Sequence, residues 1–242
     1  MKIPILVLLT FLMCGAVRAQ EAGTCEDPRA DVRIVACSAL IAKGRDATAD
    51  LSIPLNNRGL GYASKEEYDQ AIRDYTEAIA INPNFALAFS NRGVAYEAKG
   101  LFGPAIDDYS KAIAVDPKFR PAYNNRCYAL SEIDRPNQAI ADCDKALMLQ
   151  GDDARTLDSR GYMYFRLGRY TEAIGDLNKA HELDPSLATV LYVRGMAKAR
   201  LDDRTAPLDF EEAKRLDRDI ERKMAKVGLG PAPLPELPTS AP

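Results

Sequence analysis

The 242-residue chain has no tryptophan and a single histidine, His181. One imidazole cannot make a multi-histidine metal site or a two-histidine mechanism, so both are excluded at the outset. Neither sign of charge dominates: 32 Lys and Arg stand against 35 Asp and Glu, a formal net charge of −3. A broad basic surface for nucleic acid therefore has nothing to be built from. Enzyme fingerprints are missing as well, with no Gly-x-Gly-x-x-Gly, no phosphate loop, no Gly-x-Ser-x-Gly and no His-Glu-x-x-His. Fifteen Gly and fifteen Pro are ordinary usage, and 47% hydrophobic residues are ample for a packed core. Length and composition together describe a globular chain of one large or two small domains.

The first residues do not read as part of that core. Met1-Lys2 precedes the apolar run Ile3 to Met13, and Val17 and Ala19 are small residues two apart. A cation, about ten apolar residues and a small-residue cleavage site describe a secretory signal peptide, cut after Ala19. The run is shorter than the roughly 20 residues that span a bilayer. Cys14 ends it, which raises lipidation as an alternative, but Phe11-Leu12-Met13 lacks the small residue that bacterial lipoprotein signals place before the cysteine. The mature chain keeps 30 basic and 35 acidic residues and is expected in the periplasm or outside the cell, with no membrane span.

Self-comparison finds a period of 34 residues. Asn57-Arg58-Gly59 recurs as Asn91-Arg92-Gly93, Asn125-Arg126-Cys127, Ser159-Arg160-Gly161 and Val193-Arg194-Gly195. Ala-Ile follows at Ala71, Ala105, Ala139 and Ala173, a second Ala at Ala78, Ala112, Ala146 and Ala180, and a proline at Pro83, Pro117 and Pro185. In the fifth copy Ala206, Asp209, Phe210 and Ala213 arrive one residue early, implying a deletion near Asp202-Asp203-Arg204. Tyr62 lies three past Gly59, and Ala71, Tyr75 and Ala78 are four and three apart, so each set shares a helical face. Small residues let two helices approach closely, tyrosines fill the remaining volume, and Asn82-Pro83 or Asp116-Pro117 stops the second helix. A single hairpin cannot bury both faces, so the pairs must stack.

This pattern resembles the tetratricopeptide repeat family, of the exported bacterial type. The resemblance rests on Gly59/Tyr62, Gly93/Tyr96, Gly161/Tyr164, the paired alanines and the closing proline. It implies an all-α, right-handed solenoid of antiparallel helix pairs, about five units over 52–85, 86–119, 120–153, 154–187 and 188–221. Residues 20–51 form an N-terminal cap, whose helix spans Ala30 to Lys43 with Ile34, Cys37 and Ile41 on one face and stops at Gly44. The stretch 222–242 holds the end of a C-terminal cap, expected to be charged over Asp219 to Val227, and a Pro-rich disordered tail from Gly228.

Four cysteines remain after cleavage, an even number that suggests two disulfides in an oxidising compartment. Cys127 and Cys143 are both about eight residues from the turn at Asp134-Arg135-Pro136, opposite each other across a hairpin. That pairing leaves Cys25 with Cys37. No Cys-x-x-Cys supports a redox role. Arg58, Arg92, Arg126, Arg160 and Arg194 recur with Asp74, Asp108, Asp142, Asp176 and Asp209. The arginines would either line a groove for an acidic ligand or pair with the aspartates as a structural ladder. Equal numbers at constant register favour the ladder, worth about 0–1 kcal/mol per surface pair.

No catalytic residue, cofactor or metal ligand is identified, and His181 reads as an exposed bystander, so the chain is expected not to be an enzyme. In the resembled family, ligands lie along the wall formed by the first helices. The early copies present Asn56, Leu60, Leu87, Ser90 and Val94. The later ones present the stronger partner-binding candidates Asn124, Tyr128, Arg155, Asp158, Tyr162, Phe165, Arg166, Tyr192, Met196 and Arg200, since Tyr and Arg are enriched at hot spots. The same aromatics could instead fill the seams between repeats. The family's lysine/asparagine clamp for chaperone tails is incomplete: Asn57, Asn91 and Asn125 recur without the matching lysines. The expected function is an exported, non-catalytic scaffold binding a partner peptide or protein in its concave groove. A self-assembling structural subunit of the cell envelope, and an accessory subunit of an envelope enzyme complex, are the alternatives.

Overall fold

The computed structural model describes residues 24–44 and 50–229. The expected signal peptide and the tail beyond Leu229 lie outside the described residues. Among those described there are twelve α-helices and no strand. The chain divides into two compact units, residues 1–101 and 102–242.

The first unit holds α1 (Ala30–Gly44), α2 (Ser52–Ser64), α3 (Tyr68–Ile81) and α4 (Ala86–Ala98). Here α1 packs on α2, α2 on α3 and α3 on α4, and α2 also touches α4. The second holds α5 (Phe102–Val115), α6 (Arg120–Glu132), α7 (Pro136–Gln150), α8 (Ala154–Arg166), α9 (Tyr170–Leu183), α10 (Ala188–Ala199), α11 (Ala206–Leu216) and α12 (Ile220–Lys226). Here too neighbours in sequence pack together, while α6 meets α8, α8 meets α10 and α10 meets α12. Within each unit the first helices of successive hairpins thus lie side by side, and in the second unit α12 takes the place of a further first helix.

Local chemistry sets the hairpins. One residue of each first-to-second turn has left-handed backbone: Glu66 (φ 61°), Gly100 (73°), Asp134 (56°), Gly168 (73°) and Asp202 (54°). The next amide donates back into the first helix, Glu67 N to Tyr62 O at 2.9 Å, Arg135 N to Leu130 O at 3.0 Å and Arg169 N to Tyr164 O at 2.9 Å. That is the Schellman closure, in which glycine is unstrained and glutamate or aspartate is not. The fifth turn keeps the phase of the others, so the missing residue falls between Asp202 and the start of α11. Second helices end at Asn82, Asp116 and Asp184, whose side chains accept the amide two residues on at 3.1, 2.9 and 3.0 Å. In the third hairpin Gly151 (φ 86°) does the work of the proline, and Asp153 caps α8 by accepting Thr156 N at 3.0 Å.

The hairpin cores pair a small residue with a large one. A Cβ on Gly59 would sit 2.6 Å from Tyr75 Cε1, one on Gly161 2.8 Å from Leu177 Cγ, and one on Gly195 3.1 Å from Phe210 Cε1. At Gly59 and Gly161 any side chain would force its neighbour to shift, and at Gly195 the fit is tight. In the third hairpin the same register is occupied by Cys127 and Cys143, with Cα atoms 5.4 Å apart. Cys25 and Cys37 are likewise at disulfide distance, Cα to Cα 4.7 Å, and hold the segment just before α1 against that helix.

The arginines tie three helices together, not two. Arg58, Arg126, Arg160 and Arg194 each donate Nε and Nη2 to one aspartate of their own hairpin's second helix, at 2.6–2.9 Å. The remaining nitrogen, Nη1, reaches the preceding second helix: Arg92 to Thr76 at 3.0 Å, Arg126 to Ser110 at 2.9 Å, Arg160 to Asp144 at 2.6 Å and Arg194 to Asn178 at 2.9 Å. Arg58 Nη1 makes the equivalent contact to Ser38 of α1 at 3.4 Å. These are not surface pairs. The Arg160 side chain is 19% exposed and that of Asp176 10%, so each fork is largely desolvated and bidentate.

The terminal helix α12 carries Glu221, Arg222, Lys223 and Lys226 exposed and an apolar side beneath them. Ile220 and Met224, one turn apart on α12, are buried, and Leu229 packs into the same core.

Candidate functional site

A cavity of about 470 Å³ opens on the first-helix wall of the second unit. Asp158, Tyr162 and Arg166 contribute from α8, Tyr128 and Glu132 from α6, Thr189 and Val193 from α10, and Met224, Lys226 and Val227 from α12 and its C-cap. The α8 residues are spaced by four and so form one stripe along the helix. Arg166 Nη1 donates to the Tyr162 hydroxyl at 3.0 Å and its guanidinium lies 5.8 Å from the Tyr162 ring centroid. The same guanidinium pairs with Asp134, in the left-handed turn after α6, at 3.1 Å. Tyr162 is thereby held in place, while Tyr128 is 43% exposed.

Polar rungs join consecutive first helices. Asn91 Nδ2 donates to Asn56 Oδ1 at 2.9 Å, the Thr156 hydroxyl bonds Asn124 Oδ1, and the Thr189 hydroxyl donates to Asp158 Oδ2 at 3.2 Å. Asn56, Asn124 and Asp158 occupy the same place in their repeats. Burial pushes the Asp158 carboxyl up to about 6, against the Thr189 hydrogen bond, which pulls it down. Burial also raises the Glu132 carboxyl, opposed by a hydrogen bond from Tyr128.

Of the ten sequence candidates, Tyr128, Asp158, Tyr162 and Arg166 line this groove. Asn124 is half-buried and engaged by Thr156. Arg155 and Arg200 are exposed outside the lining. Phe165, Tyr192 and Met196 are buried in the core and offer no surface to a ligand. Phe165 packs against Tyr170, centroids 5.6 Å apart, and Tyr192 meets Phe210 edge-on at 5.2 Å. A first helix is covered on three sides, so an aromatic there points to the seam as readily as to the groove. In the early copies Asn56 and Ser90 are buried too, whereas Leu87 and Val94 are exposed. His181, expected exposed, is half-buried, and its Nδ1 has no hydrogen-bond partner among the described residues. Sequence reasoning missed the contribution of Met224 and Val227. The signal was the Ile220–Met224 spacing of four, which anchors α12 against α10.

Among the described residues no group of three His, Cys, Asp or Glu could hold a metal ion, and no helix is long and apolar enough to cross a membrane. What the groove offers is a half-buried carboxyl on Asp158, an exposed one on Glu132, two tyrosines and a fixed guanidinium.

Family models for the TPR repeat match residues 59–100 and 161–202, and one for the tetratricopeptide repeat matches residues 86–119. The chain belongs to the tetratricopeptide repeat family. Proteins of this family are generally non-catalytic interaction scaffolds. Solved structures share the fold. YrrB, described as a TPR protein with an unusual peptide-binding site, is 21% identical with a TM-score of 0.64, over 80% of this chain and 98% of that one. A MamA crystal structure is 25% identical with a TM-score of 0.61, over 75% and 98%. MamA from residue 41 onward, from Desulfovibrio magneticus RS-1, is 21% identical with a TM-score of 0.64, over 72% and 98%. No curated protein matches the sequence.

Proposed function

We propose that the protein is an exported, non-catalytic scaffold that binds a segment of a partner protein in the groove of its second unit. The observation that carries this is the pair Tyr128 and Tyr162, presented beside Arg166 on a preorganised wall. Tyr and Arg bury large area at small entropic cost and dominate binding hot spots. The peptide-binding site named for YrrB supports the reading by analogy of fold. Export is supported by the leader-like first 19 residues and by two cysteine pairs at disulfide distance.

Selection of peptides against the full chain tests the groove. Selected peptides are expected to bind Tyr128→Ala and Tyr162→Ala at least about tenfold more weakly. Equal affinity for wild type and both variants removes the groove from the proposal. A self-assembling envelope subunit is the second reading, favoured by Val35 and Leu40, exposed at 70% and 49% on α1. Sedimentation at increasing concentration separates them, since a strict monomer sinks self-assembly.

A further inference from the structure

One position of the first-helix wall changes chemical character along the chain. Asn56, Ser90, Asn124 and Tyr192 are neutral where Asp158 carries a carboxyl. A rung between first helices needs no charge, as the Asn56–Asn91 hydrogen bond shows. The acid is also costly there, since burial raises its proton affinity. Among the described residues its hydrogen-bond donor is the neutral Thr189 hydroxyl on α10, at 3.2 Å. The cations facing the cavity do not answer it. Arg166 on α8 is taken by Asp134 and Tyr162, and Lys226 at the end of α12 is exposed. The other titratable groups facing the cavity are Glu132 and Tyr128 on α6 and Tyr162 on α8, and none supplies a positive charge.

A half-buried carboxylate on a groove wall, without an ionic partner among the described residues, attracts a cation brought from outside. Tyr162, one turn further along α8, and Tyr128, across on α6, suit the aliphatic stem and the charge of such a group. We propose that Asp158 determines the specificity of the groove, receiving a lysine or arginine side chain of the bound peptide. This rests on the groove being a peptide site.

The test uses the full chain and fluorescein-labelled peptide libraries with a fixed central residue, Lys, Arg, norleucine or Glu, and identical randomised flanks. Anisotropy at pH 7.5 is expected to favour Lys and Arg over norleucine by about tenfold, with Glu weakest. Asp158→Asn, its fold checked by circular dichroism, loses that preference and keeps its norleucine binding. In wild type the Lys library binds about tenfold more weakly at pH 5 than at pH 7.5, as Asp158 takes up a proton. That step survives in Glu132→Gln and is absent in Asp158→Asn. The inference is overturned if Asp158→Asn retains the preference for Lys, if the pH step disappears in Glu132→Gln, or if Lys and norleucine libraries bind wild type equally. In the last case Tyr162→Ala still weakens binding when the peptide reading is right. Libraries that bind no better to wild type than to Tyr162→Ala sink the peptide reading and this inference together.

Discussion

Replacing Arg160 by alanine measures how much a single fork contributes. Arg160 donates twice to Asp176, at 2.7 Å each, and once to Asp144 at 2.6 Å. Truncation leaves Asp176, whose side chain is 10% exposed, as a buried carboxylate without its counter-ion. Breaking a buried pair in this way costs about 3–5 kcal/mol, and the residual solvent access of Arg160 sets the lower end. Asp144 is half exposed, so its share is below about 1 kcal/mol. The expected loss is about 3 kcal/mol. Lys179→Ala is the control: that lysine meets Asp152 at 3.8 Å with both side chains more than half exposed, and its loss should stay within about 0.5 kcal/mol. Urea unfolding followed by far-UV circular dichroism, at low salt and in 1 M NaCl, reads both. The control loses its small effect in salt, while the fork persists. A double-mutant cycle of Arg160→Ala with Asp176→Ala should give a coupling of about 2 kcal/mol. Coupling under about 0.5 kcal/mol, or a loss no larger than the control's, refutes the view that the forks hold the stack together.

Glu66→Gly should raise stability by about 0.5–1 kcal/mol in a thermal melt, because it relieves a left-handed residue (φ 61°). Asp134→Gly gains less, because it also removes the contact to Arg166. Gly59→Ala forces a methyl to 2.6 Å from the Tyr75 ring and should cost about 1–3 kcal/mol in urea. Thiol titration of the oxidised, denatured mature chain should find no free cysteine, and Cys127→Ala/Cys143→Ala should lower stability by about 3 kcal/mol. Asp158→Asn should stabilise the protein by about 1–3 kcal/mol at pH 7.5. The folded carboxyl holds its proton up to about 6 while the unfolded one releases it near 3.8. Its unfavourable contribution therefore grows as pH rises through that window and is absent below it. A variant no more stable than wild type at pH 7.5 contradicts the desolvation of Asp158.

The sequence by itself determined the helix pairs, their phase, the small-to-large register that places Cys127 against Cys143, and the pairing of Arg with Asp. Each follows from spacing within one hairpin, where two helices of known period face each other across a short turn. It did not reveal that Arg Nη1 also reaches the preceding helix, as Arg160 does to Asp144, because that contact belongs to stacking between hairpins. Nor did it separate Tyr162, which faces the groove, from Phe165, Tyr192 and Met196, which fill the core. A helix packed on three sides has no clean polar face for a pattern to reveal. The raised Asp158 carboxyl and the closing of the groove by Met224 and Val227 were likewise decided only in three dimensions, by neighbours from α6, α10 and α12 that share no local spacing with α8.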